Sequence, residues 1–309
     1  MYKDLDEILR AVASGEITPD EAENLIAQLE DTNTCEGEAA PSSASEGEEE
    51  NNAERTGLFD RLFRGKSEYD VHGDVDAMGA TEHIRGNLYG SILGDMHAGA
   101  KIDKDVQGDV NGSIHASAAI GGDLDGDVKG TLGGRIGGDC GGSVMGSITT
   151  TGSIGGDMGG SVVGDLAGKI GGDMDGCIAG SVTETGSIGG DCDGSIERDL
   201  AGKIGGDMGG CVGGCVTETG RIGGDMSGTI GGDLRGVIGG DMSGEIMGSI
   251  SPTGKVGGDC GVVHSDVAGH IGGDVEAIYG DILPGAVIGG DVHELRGRNL
   301  GKVRGEICH

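Results

Sequence analysis

From about residue 68 the chain places an aliphatic residue at every fourth position and a glycine two places after it, a unit of the form h-x-G-x. The clearest stretch is Ile170-Gly171-Gly172-Asp173-Met174-Asp175-Gly176-Cys177-Ile178-Ala179-Gly180-Ser181-Val182. The unit recurs with a superperiod of 34, which makes Ile136, Ile170, Ile204 and Ile238 equivalent, and likewise Ile154, Ile188, Ile222 and Val256. That interval divides as 16 plus 18. The two extra residues fall each time in one place, at Thr149-Thr150-Thr151-Gly152, Thr183-Glu184-Thr185-Gly186, Thr217-Glu218-Thr219-Gly220 and Ser251-Pro252-Thr253-Gly254, as a recurring corner loop would.

Self-similarity on this scale signals a solenoid, and glycine at every fourth position, at about 1 kcal/mol each, excludes a helical repeat. The expected fold is mainly β: a single-stranded β-solenoid (β-helix) of short Gly-rich coils. Alternation along a strand predicts that the aliphatic residue and the glycine two places later face inward, while positions such as Asp157, Ser161, Asp165 and Lys169 face solvent. Glycine is further expected to accept positive φ at the corners. A coil of about 17 residues, alternating 16 and 18, is favoured, although a flattened coil of 34 explains the self-stacking insertion equally well.

Other periodicities precede the repeat. Leu5, Ile8, Leu9 and Val12 form an amphipathic helical stripe that Gly15 stops, and Thr18-Pro19-Asp20-Glu21 starts a second helix carrying Leu25, Ile26 and Leu29. Residues 1–30 therefore predict an α-helical hairpin, a docking element or a solubilising cap. Residues 31–56, rich in Glu, Ser, Asn and Ala, predict a disordered acidic linker. Residues 57–67 gather both phenylalanines of the protein: Leu58, Phe59, Leu62 and Phe63 lie on one side of a short helix, with Arg61, Arg64 and Lys66 toward the other. Such a segment would contact a membrane surface or a partner's groove, or plug the first coil of the solenoid domain at 68–295. Residues 296–309, basic through Arg296, Arg298, Lys302 and Arg304, read as a C-terminal cap that could also meet an acidic neighbour end to end.

Composition narrows the function. With 71 glycines in 309 residues and 2% aromatics, no bulky core is available, so a repetitive architecture must hold the chain together. A net charge of −32 repels a phosphate backbone, and no nucleic-acid partner is expected. The residues after Met1 form no apolar stretch behind a basic start and no long apolar run occurs in the sequence, so a cytoplasmic location is expected, with any membrane association resting on residues 57–67. The eight cysteines are expected to be reduced: Cys140, Cys192 and Cys260 replace Met or Leu after Gly-Gly-Asp, whereas Cys177, Cys211 and Cys215 stand where Ser is common.

The helical segment Ile8–Leu29 resembles the short hairpin of the SHOCT-like family, which implies a docking or oligomerisation element. The repeat resembles bactofilins, polymer-forming cytoskeletal proteins, through Val71-His72-Gly73-Asp74-Val75, Val106-Gln107-Gly108-Asp109-Val110 and the many Ile-Gly-Gly-Asp-Met/Leu units. That resemblance implies a β-helical scaffold with end-to-end self-association. Adhesin-like toast-rack solenoids behind a SHOCT-like hairpin are a second relative, implying instead a monomeric regulatory or binding protein of the envelope-stress type.

Chemistry is sparse. The carboxylates of Asp139, Asp157, Asp173, Asp191, Asp207 and Asp225 could form ladders that hold Ca²⁺, but the spacing is not that of calcium-binding nonapeptides, and turn formation and solubility explain them more simply. The histidines lack triad partners, and the periodicity is four where left-handed β-helix acyltransferases use six. No enzyme activity, catalytic residue, cofactor or metal ligand is expected.

Overall fold

In the computed structural model, residues 70–308 are described. They form a mainly β fold in which every pairing is parallel: sheets of two, fourteen and four strands, together with isolated bridges. The fourteen-stranded sheet runs from His83–Ile84 to Lys302–Val303, one two-residue strand per coil. Ile136 pairs with Ile154 and Ile154 with Ile170, so successive coils take 18 and then 16 residues. The 34-residue superperiod is thus two stacked coils, and the flattened alternative is excluded.

Each coil contributes four inward side chains, one per tetrapeptide, to four parallel ladders. The first is almost entirely isoleucine. The second passes from Leu124 into Cys140, Met158, Met174, Cys192, Met208, Met226, Met242 and Cys260, so eight consecutive coils present sulfur to the core. The third is Val or Ile through most of its length, and the fourth mixes Leu, Val and Ile. From Leu88 to Val292 nearly all these residues have no exposed surface, and no polar or aromatic side chain is buried among the described residues. Sides four residues long leave room for one large side chain each, which is how the core closes without aromatic anchors. Unbranched Met and small Cys share one ladder because thioethers and thiols adapt to irregular space.

The 18-residue coils lengthen only the corner between the fourth and first ladders. There Gly152 N–H closes a turn onto Thr149 O at 2.9 Å, and Thr151 Oγ1 donates to Gly133 O at 2.8 Å, across the shorter corner of the preceding coil. Thr185 repeats this bond to Ala167 O. Long and short corners therefore nest.

The glycines act differently from expectation. Those two places after the aliphatic residue are mostly half-buried at the corners rather than inside; only between the fourth and first ladders, as at Gly134, Gly168, Gly202 and Gly236, are they regularly buried. Nor do they need positive φ, which among the described glycines is confined to Gly73, Gly99 and Gly285. What excludes a side chain is the coil beneath: a Cβ on Gly171 would overlap the Gly155 carbonyl oxygen, and one on Gly172 would overlap Asp157 Oδ1. Toward the C-terminus the side joining the second and third ladders loses one residue and becomes extended, as at Cys260–Val263, Val275–Ile278 and Val292–Leu295. Residues 296–308 continue the stack: Lys302–Val303 pairs with Val287–Ile288, and Ile307 bridges to Val292.

A Gly171→Ala substitution should cost about 3 kcal/mol or more, since backbone rather than a flexible side chain blocks the methyl group. Gly159→Ser should be neutral within about 0.5 kcal/mol, because Ser227 and Ser243 already occupy equivalent positions. Thermal denaturation of the two variants side by side measures the contrast.

Candidate functional site

A tetrapeptide side has four backbone N–H groups to satisfy. In a representative stretch, Met158 N–H donates to the next coil at Asp173 O, Gly159 N–H to the preceding coil at Cys140 O, and Gly156 N–H to Gly138 O. The N–H of the residue just before the core position remains, except before the first ladder, where it reaches backbone, as Lys169 N–H does at Gly152 O. At three of the four corners a side chain of the preceding coil accepts it.

The longest such series is the Gly-Gly-Asp corner. Asp139 N–H donates to Asp123 Oδ1, Asp157 to Asp139, Asp173 to Asp157 and Asp191 to Asp173, all at 2.8–2.9 Å. The series begins with Asn87 N–H on Asp70 Oδ1 and ends with Glu306 N–H on Asp291 Oδ1. Parallel series occupy two other corners, with Asp, Ser or Cys as acceptor. Cys211 Sγ accepts from Thr229 N–H and Cys215 Sγ from Asp233 N–H, both at 3.3 Å. These thiols fill a serine's structural place. The motif is thereby explained residue by residue: the first glycine clears a carbonyl, the second clears the carboxylate below, and the aspartate caps the coil above. The capping role was missed from sequence; its signal is that short side chains with an acceptor recur immediately before an apolar residue.

Stacked aspartates stand about 4.8 Å apart, the spacing of paired strands, and so repel one another. The fourth corner offsets this. The residue before each isoleucine of the first ladder is Lys or Arg in many coils, including Lys101, Arg135, Lys169, Lys203, Arg221, Lys255 and Lys302. These cations form a column along a strongly acidic molecule.

Two further clusters break the regular pattern. Near the C-terminus, His264 meets Tyr279 edge-on at 5.2 Å, Arg296 lies 4.1 Å over the Tyr279 ring, and His264 Nε2 is 2.9 Å from Glu245 Oε2. Near the N-terminus, Asp95, His97 and His115 bring potential ligand atoms within 4.8 Å of one another. The sequence-predicted contact residues Leu58, Phe59, Arg61, Leu62, Phe63, Arg64 and Lys66 lie outside the described residues. So do the hairpin residues Leu5, Ile8, Leu9, Val12, Leu25, Ile26 and Leu29. Among the described residues no helix is long and apolar enough to cross a membrane. Compared with family models, with curated proteins and with solved structures, the chain matches none of them.

Removing one acceptor from the aspartate series tests its role. Asp191→Ala should destabilise by roughly 1 kcal/mol by stranding Asp207 N–H, whereas Asp191→Asn, which keeps an acceptor as Asn87 does for Asp105, should cost a few tenths at most; urea denaturation resolves the two.

The thiols divide by environment. Burial pushes Cys140 up to about 11, and Cys192 and Cys260 up to about 12, while Cys177, Cys211 and Cys308 are exposed. Iodoacetamide followed by peptide mapping should therefore label the exposed three in the native protein and the buried three only after unfolding.

Proposed function

We propose that this protein is a structural scaffold, a cytoplasmic, non-enzymatic β-solenoid rod that assembles end to end into a polymer. One observation carries the reading: the ladders continue coil after coil and stop at edges that, among the described residues, have no partner. His83–Ile84 and Lys302–Val303 are the outer strands of the fourteen-stranded sheet. Among the described residues, half-buried Val71, Val75, Val303 and Ile307 pack on the two ends of the core beside outer strands, and part-exposed apolar side chains next to a strand edge are the combination that templates pairing with another chain.

The two ends differ in charge. Residues 70–87 carry four acidic side chains against one basic, and residues 292–308 carry four basic against two acidic. A head-to-tail contact joins opposite signs, and a heterologous contact that does not close gives a filament. The aspartate series offers a register: the Glu306 carboxylate of one copy can accept Asp70 N–H of the next, as Asp291 accepts from Glu306. The resemblance to bactofilins points the same way. The regulatory alternative draws on the hairpin at residues 1–30, outside the described residues.

Negative-stain electron microscopy of the full-length protein at physiological salt should show uniform filaments. A Lys302→Glu/Arg304→Glu variant, altered at exposed positions, should give short rods with an unchanged melting temperature. Single rods of the unaltered protein at every salt concentration would overturn polymer formation and leave a monomeric binding protein.

A further inference from the structure

The histidine cluster lies where the coil pattern itself is irregular. Long corners elsewhere alternate with short ones, but Ile84 to Ile102 and Ile102 to Ile120 are both 18-residue intervals, so the long corners after Met96 and Ile114 stack directly, next to a third after Met78. His97 and His115 open these two corners, each turn being closed by an N–H onto the histidine carbonyl, from Ala100 at 2.9 Å and Ala118 at 3.0 Å. The corners share a left-handed residue, Gly99 in one and Ser117 (φ 65°) in the next, Ser117 being the one non-glycine of positive φ among the described residues. A left-handed serine is sparsely populated backbone, and such strain collects where a site is being shaped. The imidazoles are thereby stacked with centroids 5.3 Å apart.

Asp95 completes the group. Its Oδ1 accepts Ser113 N–H at 2.7 Å, which fixes the carboxylate, and its Oδ2 faces His115 Nε2 at 3.4 Å. We propose that Asp95, His97 and His115 bind one divalent transition-metal ion of the zinc class, with water in the remaining coordination positions. Two imidazoles and a carboxylate select Zn²⁺, Co²⁺ or Ni²⁺ over Ca²⁺ or Mg²⁺, which prefer all-oxygen sites. The ligand atoms already lie within 4.8 Å of one another, and around tetrahedral zinc they stand about 3.3 Å apart, so turning two exposed rings suffices. The Ser113 bond to Oδ1 is the kind of outer contact that orients a metal ligand. The stacked aspartates share the backbone N–H on one oxygen but have no pair of imidazoles beside the other.

The test uses metal-free full-length protein with its exposed thiols alkylated, titrated with Co²⁺ by visible absorption and with Zn²⁺ by calorimetry in millimolar Mg²⁺. One site is expected in the native sequence, weakened by a factor of roughly ten or more in His97→Ala and in His115→Ala. Both positions are exposed, and unchanged far-ultraviolet circular dichroism confirms folding. Asp95→Asn, which keeps the acceptor for Ser113, is a second variant that should weaken Zn²⁺ without loss of fold. Equal affinity and stoichiometry in the native protein and the His97→Ala/His115→Ala double variant would overturn the site.

Discussion

Close approach of backbone to backbone from coil to coil is the constraint on which this structure depends. With only four residues per side, the chain turns at every fourth residue, and a corner atom on one coil lies directly beneath a corner atom of the next. A methyl group on Gly171 has nowhere to go because the Gly155 carbonyl occupies that place. Glycine is needed here for space rather than for its φ range, and its heavy entropic cost on folding is offset by a hydrogen-bond network that leaves few backbone groups unpaired. The same compactness shapes the core: four side chains per coil, each stacked on its equivalents, make a continuous apolar column with no aromatic residue.

The polar surface follows from that geometry. Turning so often leaves an N–H without a backbone partner at three of the four corners, and the shortest remedy is an acceptor one or two bonds beyond Cβ on the coil below. Aspartate, serine and cysteine all meet that requirement, which is why they interchange at these corners. Aspartate makes the strongest such bond but adds a charge to a column spaced at about 4.8 Å, well inside the screening length at physiological salt. Each neighbouring pair repels by about 1 kcal/mol in water. Lys or Arg before the first-ladder residue in half of the fourteen strands, one corner away, lowers that repulsion. Net acidity disfavours side-by-side association, and of the two described ends only residues 292–308 reverse the sign, with four basic side chains against two acidic.

Much of the fold was legible in the sequence because the repeat is nearly exact. The period of four gave the buried set, and the displaced Thr-x-Thr-Gly segments located the long corners. Alternation of 16 and 18 residues anticipated the stacking from Ile120 to Val256. Glycine was misread because strand alternation was applied to sides too short to be strands: a two-residue ladder does not alternate inside and outside over four positions. The aspartate caps were invisible for a related reason, since an exposed acidic residue in a turn already has a sufficient local explanation. The histidine cluster escaped notice because His97 and His115 are 18 residues apart. Only the coil length makes that separation a contact.

A solenoid of this kind has neighbours only along its axis, so its stability is a sum of similar interfaces, and its terminal coils lack half of theirs. In many repeat proteins a distinct polar cap fills that gap. Here residues 296–308, basic as they are, form another coil of the stack, with Val303 and Ile307 only half-buried and Lys302–Val303 paired on one side. Ending a ladder on a regular rung leaves backbone donors and acceptors arranged as the interior arranges them. On the end-to-end assembly proposed above, that pattern meets the opposite end of an identical molecule, which carries the same repeat in the same parallel sense with the complementary charge.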